Sequence, residues 1–143
     1  LRKHRALKLI NFITRETNAY LSKLGHSPQE TGLRDIRIVS SWLTKTMPGE
    51  YTRLHDHGTT DIAGVFYIQA NPNTDGNLYF QDHDKVKTHG QLLRAMPYQH
   101  DIEPSEAHLV LFPGWLTHGV RVHKGVEPRI SLSFNIEFNT DLG

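Results

Sequence analysis

Between Ile36 and Phe138 the chain breaks into short runs of aliphatic, β-branched and aromatic residues, each closed by a turn signal. That rhythm restricts the fold more than any other feature. The runs are Ile36 to Thr46, Tyr51 to His57, Ile62 to Gln69, Leu78 to Gln81, Leu109 to Phe112, Gly119 to His123 and Arg129 to Phe138. Between them stand Met47-Pro-Gly-Glu50, with Pro then Gly as a type II turn requires, Asn71-Pro-Asn-Thr-Asp-Gly76, Pro113-Gly114 and Lys124-Gly125. Ahead of them, Leu7, Ile10, Ile13, Thr17 or Tyr20, Leu21 and Leu24 recur every three or four positions, which predicts an amphipathic helix. Gly25 supplies its stop, and His26 to Gly32 reads as a loop. A helix with one apolar stripe needs a surface to cover, so the expectation is a mainly β, antiparallel sandwich or barrel backed by the N-terminal helix.

The length of 143 residues suits one domain spanning 1–143, with a supporting helix over 1–25 and a β core over about 36–138. No internal repeat or low-complexity tract divides it. A net charge of +1 makes no electrostatic case for a nucleic acid polymer or an anionic membrane, and the basic start from Arg2 to Lys8 reads as a solvated helix face. The chain has no cysteine, so any metal must sit on histidine and carboxylate, and a cytoplasmic setting is expected. No apolar run is long enough to span a bilayer and no signal segment opens the chain. Leu1 in place of Met suggests a processed or cropped form.

The last run discriminates among β folds. In Arg129-Ile-Ser-Leu-Ser-Phe-Asn-Ile136 every even position is apolar and every odd one polar. An edge strand with one face in water has the same pattern. A solvated face usually carries long charged side chains, however, whereas one Arg followed by two Ser and one Asn suits the wall of a polar cavity.

Ten histidines offer ligands. If Tyr51 to His57 is one strand, His55 and His57 share a face and Asp56 points to the other. A His-x-His strand presents two donors without bending the backbone, and His118, after the Pro113-Gly114 turn, is placed to supply a third. Arg129 follows as a cation suited to an anionic co-ligand. Arg53 shares the face of His55 and fits either a substrate anion or a structural ion pair. Trp42, Phe80, Phe112 and Trp115 are expected in the core or lining a pocket, and Tyr79 in the cavity or half-exposed. His83, His89, His100, His108 and His123 show no convergent pattern and are expected in solvent or loops.

His55-Asp-His57-Gly-Thr-Thr-Asp-Ile-Ala-Gly64-Val-Phe-Tyr67-Ile, Gly76-Asn-Leu-Tyr-Phe80, Leu111-Phe-Pro-Gly-Trp-Leu-Thr-His118 and Arg129-Ile-Ser-Leu-Ser-Phe-Asn135 occur in that order. Together they resemble the 2-oxoglutarate and Fe(II)-dependent oxygenases common in marine bacteria and their phages and, more distantly, the prolyl hydroxylases. With Ser41-Trp-Leu and Pro48-Gly the resemblance covers about Trp42 to Asn135. It implies a double-stranded β-helix (jelly roll, cupin-like) and a hydroxylase using Fe(II), O2 and 2-oxoglutarate as co-substrate, in the cytoplasm, the host's if the chain is phage-encoded. It makes His55, His57 and His118 the metal ligands and Arg129 the partner of the distal carboxylate of 2-oxoglutarate. Tyr67 matches a tyrosine that hydrogen-bonds the same carboxylate, with Ser131 a further co-substrate candidate.

The wider superfamily has an aspartate where this chain has His57. Either His57 is itself a ligand or Asp61 folds back to supply an oxygen; the first is favoured, because Asp61 ends a Gly-Thr-Thr-Asp stretch where aspartate more often caps a turn. Three neutral imidazoles would leave the whole charge of Fe(II) to attract a dianion. A second reading is a cupin-type metalloenzyme, a 2-oxoglutarate-independent dioxygenase or an isomerase, with His55, His57, Asp61 and His118 as ligands. Nothing in that reading requires Arg129. A third is a non-catalytic β-sandwich binding module or virion protein. The substrate, small-molecule or peptidyl, is set by loops, here the approach to Ile62, Asn71 to Gly76 and Asp82 to His100, and no residue there identifies it. The oligomeric state is equally open.

Overall fold

The computed structural model describes residues 2–25, 33–82 and 98–140. The chain runs α1 (Arg2–Lys23), β1 (Leu33–Thr46), β2 (Thr52–His55), β3 (Ile62–Gln69), β4 (Leu78–Gln81), β5 (Gln99–Ile102), β6 (Leu109–Pro113), β7 (His118–Val120) and β8 (Arg129–Thr140). Two four-stranded antiparallel sheets form, ordered β1-β8-β3-β6 and β2-β7-β4-β5. This is the expected double-stranded β-helix. The loops expected over His26 to Gly32 and most of Asp82 to His100, with His83 and His89, lie outside the described residues.

β8 organises the first sheet. It pairs with β1 on one side and β3 on the other, so the edge-strand alternative for its alternating pattern is ruled out. Its apolar face lies under the helix: Phe134 and Ile136 are 1% and 0% exposed and pack with Ile62, Ile13 and Leu21. Burial of each such side chain contributes roughly 1.5–3 kcal/mol. The helix stripe is rotated from the expected one. Ile13, Thr17 and Leu21 are buried with Leu9, Phe12 and Tyr20 beside them, while Leu7, Ile10 and Leu24 are exposed. Thr17 fits this apolar contact because its hydroxyl donates to the Ile13 carbonyl at 2.8 Å.

A second cluster fills the space between the sheets: Ala63 and Phe112 from one, Leu78 from the other, with Val65, Phe80, Val110, Leu116 and Val120 against them. Beside this layer a cavity opens toward the Arg129 end of β8.

Several strand limits differ from expectation. β2 stops at His55 and β7 at Val120, so His57 and His123 lie in loops. β5 was not expected; Gln99-His-Asp-Ile carries no β-branched residue before Ile102, and only pairing with β4 makes it a strand. The Met47 turn is as read, with Gly49 at φ 87° and Glu50 N–H donating to the Met47 carbonyl.

Candidate functional site

His55 and His118 face each other directly across the β2–β7 ladder, which brings their ring centroids to 4.3 Å. His57 arrives by a different route from the strand alternation expected of it. Beyond the end of β2, Asp56 accepts the Gly58 N–H and Thr60 donates to the His57 carbonyl, a tight loop that uses the positive φ of Gly58. The loop is pinned by His57 N–H donating to Gly114 O and Gly114 N–H donating to Asp61 O. Gly114 is required there, because a Cβ would overlap the Thr60 carbonyl. His57 then lies parallel to His118, with interplanar angle 2° and Nε2 to Nε2 distance 3.3 Å.

One ligand nitrogen from each of His55, His57 and His118 lies within 4.8 Å of the others, the one such convergent group among the described residues. An ion about 2.1 Å from each nitrogen sets neighbouring ligand atoms about 3.0–3.4 Å apart, which the 3.3 Å separation matches. The far side of two rings is already held: Nδ1 of His55 lies 2.8 Å from the Arg53 carbonyl and Nδ1 of His118 lies 2.8 Å from the Leu116 carbonyl. A carbonyl only accepts, so each Nδ1 carries the proton and each Nε2 offers its lone pair. Burial holds His118 down to about 4 against the pull of the Leu116 carbonyl, with His55 and His57 adding repulsion. Burial, then His55, also lowers His57, while Asp56 and Asn135 oppose the shift. Neutral nitrogen donors of this kind suit iron, zinc, copper or nickel.

Asp61 stands apart from this group. Its Oδ2 accepts the Phe138 N–H at 2.9 Å, so it ties its loop to β8 instead of capping a turn as expected.

Behind the histidines a cavity of about 150 Å³ runs between the sheets, a size that holds a small organic molecule. Arg129, Ser131 and Ser133 form one wall, with Tyr67, Gly64 and Val65 from β3 beside them and Trp42 and Thr44 from β1. Arg129 is 3% exposed. It donates from one terminal nitrogen to the Gly76 carbonyl and from the other to Thr46 Oγ1, both at 3.0 Å, and its buried Nε has no partner among the described residues. No carboxylate forms an ion pair with it among the described residues, so a buried cation is left under-neutralised. Burial pushes it below its ordinary value, while Tyr67 and Asp75 oppose the shift. Tyr67, 2% exposed, is pushed up to about 12 by burial, with Arg129 lowering it and Asp75 raising it, so it stays a neutral phenol able to donate. An orphan N–H, a phenol and a serine hydroxyl around a buried guanidinium fit a carboxylate-bearing ligand.

Other expectations divide. Phe112 is core and Phe80 half-buried beside it, whereas Trp42 and Trp115 are exposed at 41% and 64%, Trp42 lining the cavity and stacking on His57. Arg53 is exposed and holds His55 through its backbone only. Tyr79 lies under the Arg121 guanidinium, 3.8 Å from ring centroid to carbon, away from the cavity. His100 and His108 are exposed as expected, but His123 is 1% exposed, a correction explained by a buried partner, Asp75. Thr46 was not picked out. Thr46 continues the period-two face of Trp42 and Thr44, a signal that was available.

Two facing antiparallel sheets with three imidazoles at the mouth of the cavity and a buried arginine on its inner wall define a double-stranded β-helix with a candidate metal centre. The chain belongs to the family described as "Putative 2OG-Fe(II) oxygenase", which matches residues 40–135. That family implies iron and 2-oxoglutarate, and the donor set and the arginine wall fit both. A comparison with curated proteins finds no match. Among solved structures, a Pseudomonas putida prolyl-4-hydroxylase is similar with TM-score 0.54 and 23% identity, over 78% of this chain and 57% of that one. A 2OG-Fe(II) oxygenase family oxidoreductase from Burkholderia pseudomallei gives TM-score 0.55 and 13% identity, over 72% and 45%. Iron-bound HygX from Streptomyces hygroscopicus gives 0.54 and 12%, over 76% and 61%. At these identities the likeness shows the fold, and the chain spans about half the length of the structures it matches.

Proposed function

We propose that the chain is a 2-oxoglutarate-dependent hydroxylase, with Fe(II) held by His55, His57 and His118 and the distal carboxylate of 2-oxoglutarate held by Arg129. One observation carries the reading: the three convergent imidazoles and the under-neutralised Arg129 line the same cavity. When bound, Fe(II) supplies the redox chemistry that couples O2 and the oxidative decarboxylation of 2-oxoglutarate, to succinate and CO2, to hydroxylation of a substrate C–H.

The chain's own residues do the rest. The carbonyls of Arg53 and Leu116 fix two imidazole tautomers, so the donor nitrogens are oriented before the metal arrives. Arg129 meets the far carboxylate with its charge and its free Nε–H, and Tyr67 and Ser131 offer hydroxyl donors beside it. The small side chain of Ser133 leaves width for the co-substrate. Leu78, Phe112 and Val120 line the same cavity and exclude water from it.

The substrate, small-molecule or peptidyl, reaches the metal past Trp42 and the exposed His55, in a cytoplasmic setting. The cupin-type alternative loses its support, since Asp61 is engaged with the Phe138 N–H and Arg129 lines the metal cavity. The test is anaerobic reconstitution with Fe(II) followed by O2: 2-oxoglutarate is consumed and succinate appears in equal amount. Full turnover without 2-oxoglutarate would refute the assignment.

A further inference from the structure

His123 is buried, lies outside the metal site, and has no role in the scheme above. Its surroundings are unusually dense. The ring reaches the Glu127 carbonyl through Nε2 at 2.7 Å, and its Nδ1 lies 3.0 Å from Asp75 Oδ1, an ion-pair distance short of hydrogen-bond alignment. Its backbone N–H donates to Glu50 O and its carbonyl accepts the Gly49 N–H. Three loops therefore meet on one residue: the Met47 turn through the backbone, the Asn71–Gly76 loop through Asp75, and the segment leading into β8 through Glu127.

Those loops adjoin both acceptors of the Arg129 guanidinium among the described residues. Thr46, which accepts from one guanidinium nitrogen, is the residue before the Met47 turn. Gly76, whose carbonyl accepts from the other, is the residue after Asp75. Arg129 itself stands two residues after Glu127. Asp75 is locked in its own loop, its Oδ2 accepting the Asn71 N–H at 2.9 Å, and is 8% exposed. Lys124 N–H donates to the Thr74 carbonyl, and Gly76 packs so closely on the Arg121 carbonyl that a Cβ would overlap it. A shift of any loop moves an acceptor of the guanidinium.

We infer that His123, with Asp75, is a positioning residue for Arg129, setting the guanidinium to receive the distal carboxylate of the co-substrate. This rests on the function proposed above. It assigns a purpose to a buried His–Asp contact that the metal site does not use: desolvating such a pair is costly, and its directional contacts tie together the loops beside the acceptors of the guanidinium.

The test is calorimetric titration of the anaerobic Fe(II)-loaded protein with 2-oxoglutarate and with 2-oxopentanoate, which keeps the keto acid end and lacks the distal carboxylate. His123→Gln is expected to raise the Kd for 2-oxoglutarate about tenfold, within the range for coupled neighbours, with 2-oxopentanoate binding and Fe(II) stoichiometry unchanged. In an Arg129→Met background, adding His123→Gln should change the Kd less than twofold. Equal weakening of both acids, or effects that add across the two substitutions, would show His123 to be only structural and overturn the inference. Should His123→Gln not fold, the isosteric Asp75→Asn carries the same cycle. Wild-type protein that binds Fe(II) but not 2-oxoglutarate would overturn the proposed function itself, a result distinct from failure of the cycle.

Discussion

Replacing Arg129 by Met separates ligand binding from folding. The substitution removes two hydrogen bonds, to the Gly76 carbonyl and Thr46 Oγ1. Each is worth about 1.5–3 kcal/mol for a charged donor, and the buried Gly76 carbonyl is left unsatisfied. Against that loss, a guanidinium that is 3% exposed and has, among the described residues, neither a directly paired carboxylate nor a partner for Nε no longer has to be desolvated, a relief of several kcal/mol. Met fills much of the same volume. The two effects nearly cancel, so folding stability should change by no more than about 2 kcal/mol, or about 6 °C in Tm for a chain of this size. The bound dianion loses its counter-charge in a low-dielectric cavity, which is worth about 2–4 kcal/mol, or roughly 30- to 1,000-fold in Kd. Thermal denaturation and anaerobic titration of the Fe(II)-loaded protein measure the two. A Tm fall beyond about 10 °C would show that Arg129 is a structural cation and refute the reasoning. So would an unchanged affinity for 2-oxoglutarate.

Alanine at His55, His57 or His118 should abolish stoichiometric Fe(II) binding in equilibrium dialysis, whereas Asp61→Asn should leave it intact and lower stability by about 1 kcal/mol through the weakened bond to Phe138 N–H. Chelating the metal from the loaded wild type should lower Tm, by about 4 kcal/mol of stabilisation if free metal had stood at a thousand times its Kd. The metal-free protein should lose stability as pH falls. His118 is held at about 4, below the 6.5 of the unfolded chain, so between those values the unfolded state binds the extra proton. Stability is full above 6.5 and declines toward 4 by at most about 3 kcal/mol, a slope that His118→Gln should flatten in Tm measured against pH. Gly76→Ala should destabilise by about 3 kcal/mol in urea titration, since its Cβ meets the Arg121 backbone rather than a movable side chain.

What the sequence by itself determined was local and periodic. The alternation from Arg129 to Ile136 specified one apolar and one polar face whatever the strand's neighbours, because side chains alternate along any extended backbone. The turns at Met47 and Pro113 followed from Pro and Gly chemistry, and the four ordered blocks carried the three candidate ligand histidines with the family resemblance. Tertiary structure alone decided the rest. It put β8 between β1 and β3, which turned a pattern equally suited to an edge strand into a cavity wall. It placed His57 in a loop pinned to Gly114, so that three nitrogens converge by loop closure as well as by strand register. It rotated the helix stripe onto Ile13, Thr17 and Leu21, made a strand of Gln99–Ile102 by pairing, and buried His123 against Asp75. Those outcomes depend on contacts between residues far apart in the chain, such as His57 with Gly114 and Arg129 with Gly76, and local periodicity holds no record of such contacts.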